Sequence, residues 1–339
     1  MCLRQFIGTC VVAGCLSGGG GAFGQVLGTV GESDPANDAI GGANPIPLSS
    51  NGVAVIRGDL VGAGSDVDHF SISLLEGDVL TIITAPTNNL PIDFFIPDTS
   101  VSVLDSGGVQ QVVNADAGSD YGRTGVQPQV HGAVVRFRAP SAQTYYVRVF
   151  GGGLNESGTY FVAVSLYRGG ATRFAEVEPN GTIAAARFID LTTGGPMLGS
   201  GAISPANDLD VYGVELRGGD SVLAVITPTQ NLPANFGSPD TVLEVLDSSG
   251  AVLLMDDDAG DEFPSAGGAG VGSAVRFRAP RDGNYYLRIR GFSGAETGSY
   301  VLTLATIPGR PCIGDADRNG FVDFSDVLNV LSGFATVCP

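Results

Sequence analysis

Along most of the chain apolar and polar residues alternate with a period of two. Val275 and Phe277 alternate with Arg276 and Arg278, and Leu287 and Ile289 with Arg288 and Arg290. Tyr300, Leu302 and Leu304 alternate with Val301, Thr303 and Ala305. Successive side chains of a strand point to opposite faces, so the pattern predicts strands with one buried face. Asp247-Ser248-Ser249-Gly250 and Pro280-Arg281-Asp282-Gly283-Asn284 lie between such runs and have hairpin-turn chemistry. Before residue 320 only Ile183 to Phe188 hints at helical spacing. Of the neighbours Tyr285 and Tyr286, one ring belongs to the core and the other faces out.

The pattern occurs twice. Asp66-Val67-Asp68-His69-Phe70 matches Asp208-Leu209-Asp210-Val211-Tyr212, and Pro86-Thr87-Asn88-Asn89-Leu90-Pro91 matches Pro228-Thr229-Gln230-Asn231-Leu232-Pro233, both at a shift of 142. Later the shift is 140, where Val135-Arg136-Phe137-Arg138-Ala139-Pro140 matches Val275-Arg276-Phe277-Arg278-Ala279-Pro280. Gly158 and Tyr160 close the first copy as Gly298 and Tyr300 close the second. The chain therefore contains a duplicated all-β unit of about eight strands per copy, the count of a sandwich. The expected fold is two tandem β-sandwich, jelly-roll-like domains at 25–168 and 174–307, then a small loop–helix unit at 311–339.

Composition adds a compartment and an ionic preference. The chain has 339 residues, 51 of them Gly, and its 17 basic residues are all Arg. With 35 acidic residues the formal charge is −18, a field that repels nucleic acid and draws divalent cations wherever carboxylates converge. Arg4, the apolar stretch Phe6 to Leu16 and Ala22-Phe23-Gly24 read as a secretory signal over 1–24. Val12-Ala13-Gly14-Cys15 offers a competing route, a lipoprotein signal ending at 14 with Cys15 as lipid anchor. Both place the mature chain outside the cytoplasm, extracellular or at the cell surface. No later apolar run is long enough for a transmembrane helix. Cys312 and Cys338 bracket one short segment and read as a disulfide in an exported chain.

Four motifs follow one another in the second copy: Glu176-Val177-Glu178-Pro179-Asn180, Asp208-Leu209-Asp210-Val211-Tyr212, Asp256-Asp257-Asp258 and Gly283-Asn284-Tyr285-Tyr286-Leu287-Arg288-Ile289. On them each copy resembles the bacterial pre-peptidase C-terminal domain, a β-sandwich module whose relatives include the collagen-binding domains of clostridial collagenases. The resemblance covers about 32–306. It implies calcium at Glu176, Glu178, Asn180, Asp208 and Asp210, with an exposed linker as the plainer reading of Glu178 to Asn180. In the first copy it implies Glu32, Asp34, Asp66 and Asp68. That copy departs from the pattern, since Ala36 follows Pro35 and Asn37 comes one place late. The Asp256 to Asp258 run with Asp261 and Glu262 reads as an acidic loop paired with neighbouring Arg, and a further ion site is the alternative.

A second calcium signal lies at Asp315-Ala316-Asp317-Arg318-Asn319-Gly320-Phe321-Val322-Asp323-Phe324-Ser325-Asp326. Asp315, Asp317, Asn319, Asp323 and Asp326 fall at EF-hand loop positions 1, 3, 5, 9 and 12. Gly320 makes the turn, and Phe321 would supply a backbone carbonyl. Asp rather than Glu at the last position resembles a dockerin, although a dockerin normally has two such segments.

Catalytic constellations are not found. His69 aligns with Val211 in the other copy, and no nucleophile elbow or zinc-protease helix occurs. The expected function is a non-catalytic, calcium-binding protein recognising an extracellular protein or polysaccharide. The alternatives are an assembly subunit docking on a cohesin-like partner through 312–338, and a secreted hydrolase using a glycosidase-like carboxylate pair.

Overall fold

The alternating segments form strands, and the duplicated sequence forms a duplicated sandwich. The computed structural model describes residues 29–307 and 309, apart from 34, 62–65, 88–93, 95, 121–130, 154–155, 170–171, 192–196 and 265–270. The signal segment, Asp34, the loop from Asp315 to Asp326 and the Cys312–Cys338 pair lie outside the described residues.

The first repeat opens with β1 (Thr29–Gly31), β2 (Asn44–Pro45), β3 (Val53–Leu60), β4 (Val67–Leu74) and β5 (Val79–Pro86). It continues with β6 (Thr99–Leu104), β7 (Gln110–Asn114), β8 (Ser119–Asp120), β9 (Val134–Arg138), β10 (Gln143–Gly151) and β11 (Gly158–Tyr167). The second repeat runs in the same order through β12 (Phe174–Ala175), β13 (Arg187–Phe188), β14 (Met197–Ile203), β15 (Leu209–Leu216) and β16 (Ser221–Pro228). It ends with β17 (Thr241–Leu246), β18 (Val252–Asp256), β19 (Asp261–Phe263), β20 (Ala274–Arg278), β21 (Gly283–Gly291) and β22 (Gly298–Ile307). Among the described residues there is no α-helix; Ile183–Ala185 is one 3-10 turn, capped by the Thr182 hydroxyl.

In the first repeat β3-β11-β5-β9 face β4-β10-β6-β7, and in the second β14-β22-β16-β20 face β15-β21-β17-β18. The chain crosses between sheets at almost every strand, which is jelly-roll order. Ile56, Phe70, Ile82, Phe137 and Tyr145 fill the first core; Tyr212, Ile226, Phe277, Tyr285 and Leu302 fill the second.

Period two fails on the sheets β3-β11-β5-β9 and β14-β22-β16-β20. Every residue of β5, β16 and β20 is buried, so these strands are covered on both faces. Their outer faces meet each other through Val55, Ile83, Ala163, Leu223, Val225 and Ala305. Each repeat also lends a strand to its neighbour: β19 joins β9 in parallel, and β8 joins β20 in parallel. Phe263, carried across on β19, stacks on Phe137 at 5.6 Å between centroids. Arg276 and Arg136, assigned by alternation to a solvent face, are fully buried because that face is the contact between repeats.

A second departure concerns Tyr286. Tyr285 enters the core as one of the pair should, but Tyr286 is only 7 % exposed. Phe188 meets its ring edge-on at 5.8 Å, and Ile183 packs over it, so the short turn and β13 roof the outer face there.

Candidate metal centre

At one end of the second sandwich the segment after β12 folds back over the start of β15. This brings Glu176 and Glu178 to Asp210, with one oxygen of each carboxylate within 4.8 Å of the others. Asp210 is completely buried. Its two oxygens are held separately: Asn180 Nδ2 donates to Oδ1 at 3.0 Å and Tyr300 Oη donates to Oδ2 at 2.7 Å. Tyr212 Oη lies 3.0 Å behind Tyr300 Oη, extending the chain of hydroxyls into the core. Glu176 is positioned by the Ala202 N–H, which donates to Oε2 at 2.9 Å. Asn180 N–H donates to Glu178 Oε2 at 3.0 Å, and the Asn180 carbonyl accepts from Val211 N at 3.2 Å.

Asn180 is 1 % exposed, yet its Oδ1 has no hydrogen-bond partner. A buried amide oxygen without a donor costs free energy that a cation would offset. The electrostatics agree. Burial, then repulsion from Asp210 and Glu178, pushes the Glu176 carboxyl up to about 8, and burial likewise raises Asp210. Three carboxyls converge with no basic side chain in ion-pair range among the described residues. Their donors are all oxygen, the set that hard divalent ions select. The residues present fit a metal ion of that kind.

Asp208, named with this group from sequence, does not join the close cluster. Its carboxylate accepts from Ser204 N and Leu209 N, both at 2.9 Å, and so organises the turn into β15. It adds only repulsion to Asp210.

The first repeat builds the same frame. Asn37 Nδ2 donates to Asp68 Oδ1 at 2.7 Å, and Tyr160 Oη donates to Oδ2 at 2.5 Å. Asn37 Oδ1 and Glu32 Oε2 are buried without partners. Burial, reinforced by Asp68, pushes the Glu32 carboxyl up to about 10. Asp66 accepts from Val61 N, matching the turn-organising role of Asp208. Asp34, the counterpart of Glu178, lies outside the described residues.

Sequence reasoning passed over Asn37 because it is displaced by one place, yet its carbonyl accepts from His69 N as that of Asn180 does from Val211 N. It also missed Tyr160, Tyr300, Gly58 and Gly201. A Cβ on Gly201 would overlap the Tyr300 hydroxyl and lie 2.6 Å from Glu176 Oε2; one on Gly58 would overlap Tyr160 and lie 2.9 Å from Glu32 Oε2. The recurrence of Gly-x-Tyr at the close of both copies was the available signal.

The strand arginines divide into two kinds. Arg288 and Arg290 both bind Glu244 across β17 and β21, within one repeat. Arg276 pairs with Asp120 and Arg136 with Glu262, between repeats. The acidic run also serves that contact: Asp256 accepts from Ser119 Oγ at 3.0 Å, and Asp261 from Asn114 Nδ2 at 2.8 Å.

No family model matches the chain, and no curated protein matches it. Among solved structures it is similar to the periplasmic g-type lysozyme inhibitor PliG of Aeromonas hydrophila. The identity is 14 % and the TM-score 0.26, over 37 % of this chain and 96 % of that one. It is also similar to tandem CBM51 modules of a family 98 glycoside hydrolase from Streptococcus pneumoniae. There the identity is 12 % and the TM-score 0.22, over 73 % of this chain and 83 % of that one. Likenesses of this size carry no argument about activity, so the functional reading rests on the side chains.

Proposed function

We propose that this is an exported, non-catalytic calcium-binding protein whose sandwiches recognise an extracellular protein or polysaccharide. The observation that carries the reading is the convergence of Glu176, Glu178 and Asp210 on one point beside the unpartnered Oδ1 of buried Asn180. Calcium takes six to eight oxygens in flexible geometry; three carboxylates, an amide oxygen and waters supply them. Such an ion pins the 176–180 segment to β15, so binding energy becomes folding energy for that end of the sandwich. The first repeat repeats the design with Glu32, Asn37 and Asp68. The Asp315 to Asp326 loop adds a separate calcium ligand set outside the described residues.

Calorimetric titration of calcium into the EGTA-stripped full chain tests this. An Asp315→Ala/Asp317→Ala chain should still bind calcium and melt at higher temperature with it. Adding Asp210→Asn should remove one binding event. A chain lacking the C-terminal ligands whose melt is indifferent to millimolar calcium would sink the proposal.

A further inference from the structure

The arginine contacts between repeats obey a two-fold relation, whereas two hydroxyl pairs across the same face, Thr81 with Thr227 at 2.8 Å and Ser165 with Thr303 at 2.7 Å, have apolar equivalents, Leu223 with Ala85 and Ala305 with Ala163. Arg136 Nε donates to the Ile226 carbonyl at 2.9 Å, and Arg276 Nε to the Thr84 carbonyl at 2.5 Å; Ile226 and Thr84 are equivalent at the shift of 142. Arg136 also donates to Ala259 O and pairs with Glu262 at 3.5 Å. Arg276 donates to Ala117 O at 2.8 Å and pairs with Asp120 at 3.1 Å, the equivalent groups. Space for each guanidinium is left by a glycine of the opposite repeat, Gly272 over Arg136 and Gly132 over Arg276, where a Cβ would lie 2.5 Å from the guanidinium. Gly118 and Gly260, at φ +84° and +88°, turn the chain into the lent strands at positions where a side chain would meet the other repeat's backbone.

A contact in which i touches j and j touches i needs only one sequence to satisfy it. We propose that this face is a self-complementary docking surface whose partner is a second copy of the repeat, with two substitutions beside the lent strands contributing most to its selectivity for unlike copies. Those substitutions are at Asn114, which stands where the second repeat has Asp256, and Ser119, which stands where it has Asp261. In the chain as it is, Asn114 donates to Asp261 and Ser119 to Asp256. Two second repeats would set Asp256 against Asp261, carboxylate on carboxylate. Two first repeats would set Asn114 against Ser119, neutral on neutral, without the charge-assisted bonds. The surface, and not the linker near Gly169, is what holds the halves together.

The test uses the full chain with a protease recognition sequence inserted after exposed Gly169, cut while folded. On size exclusion the fragments should co-elute at the mass of the uncut chain. Native mass spectrometry after prolonged exchange should show the mixed pair about tenfold or more above the first–first pair, the equivalent of 1.4 kcal/mol, and no second–second pair. Asp256→Asn/Asp261→Ser should make second–second pairs appear. Should that variant not fold, Asn114→Asp/Ser119→Asp supplies the converse, expected to drive the cut fragments apart. Separation or precipitation of the unaltered fragments overturns the docking surface. Second–second pairs as abundant as mixed ones, or fragments unmoved by the substitution tested, overturn the selectivity.

Discussion

At the shared face the two repeats use their buried arginines alike: Arg136 and Arg276 reach equivalent carbonyls and equivalent carboxylates across it. At the acid ends they have drifted. Asp68 and Asp210 are held identically by an asparagine and a tyrosine, but the segment reaching over them carries Glu-Val-Glu-Pro-Asn in one copy and Glu-Ser-Asp-Pro-Ala-Asn in the other. The difference shows which constraints are tight. Each buried guanidinium keeps a carboxylate at the equivalent position, Glu262 for Arg136 and Asp120 for Arg276, because an orphaned buried charge is among the costliest defects a protein can carry. The acidic segment carries one more residue in the first copy, and an amide still reaches the buried aspartate in both.

The strongest way to break this comparison is at the arginines. Arg276→Ala and Arg136→Ala should each destabilise the chain by about 3–5 kcal/mol in urea denaturation. Near-equal losses support equivalence, whereas a small loss at one of them would show that its repeat does not depend on the contact. Next, Asp210→Asn should weaken calcium at the second repeat by about a hundredfold, roughly 2.7 kcal/mol, while leaving the first repeat's binding event unchanged. Loss of both events together would show that the two repeats share one site.

Gly201→Ala and Gly58→Ala should cost about 1–3 kcal/mol each by overpacking the tyrosine beneath each site. A tolerated alanine at either position would mean that the tyrosine does not need its present place. The smallest effect is in pH. Glu176 ionises in the folded chain at about 8, against 4.5 ordinarily, so between those values the metal-free folded state holds a proton that the unfolded chain lacks. Stability of the calcium-free chain should therefore rise as pH falls from 9 to 6. Bound calcium, by keeping the carboxylates ionised, should flatten that slope. An EGTA-treated melting temperature that rises with pH over this range would contradict the assignment.

Much of this architecture can be read from residue order, and the unread part has one cause. Alternation finds the strands and the duplication finds the repeats, because both are local properties of the sequence. Alternation cannot say what covers the second face of a strand. Val275-Arg276-Phe277-Arg278 reads as half-exposed, and only the fold shows Arg276 sealed under the other repeat. Asp208 reads as a ligand by its place in Asp-x-Asp but spends its oxygens on backbone amides. Asn37 reads as misplaced, although a bend in the segment restores it. Tyr160 and Tyr300 come about ninety residues after the aspartates they hold, a separation no local motif spans.

The short parallel strands at the rims also bear on how such a chain survives at high concentration. Among the described residues, six of the eight sheet margins are formed by segments of two or three residues, namely β1, β2, β8, β12, β13 and β19. A margin that brief gives an incoming chain almost no ladder to extend, so edge-to-edge aggregation has few places to start. By lending β8 and β19 across the contact, each half also pairs the outer edge of its neighbour's β20 or β9.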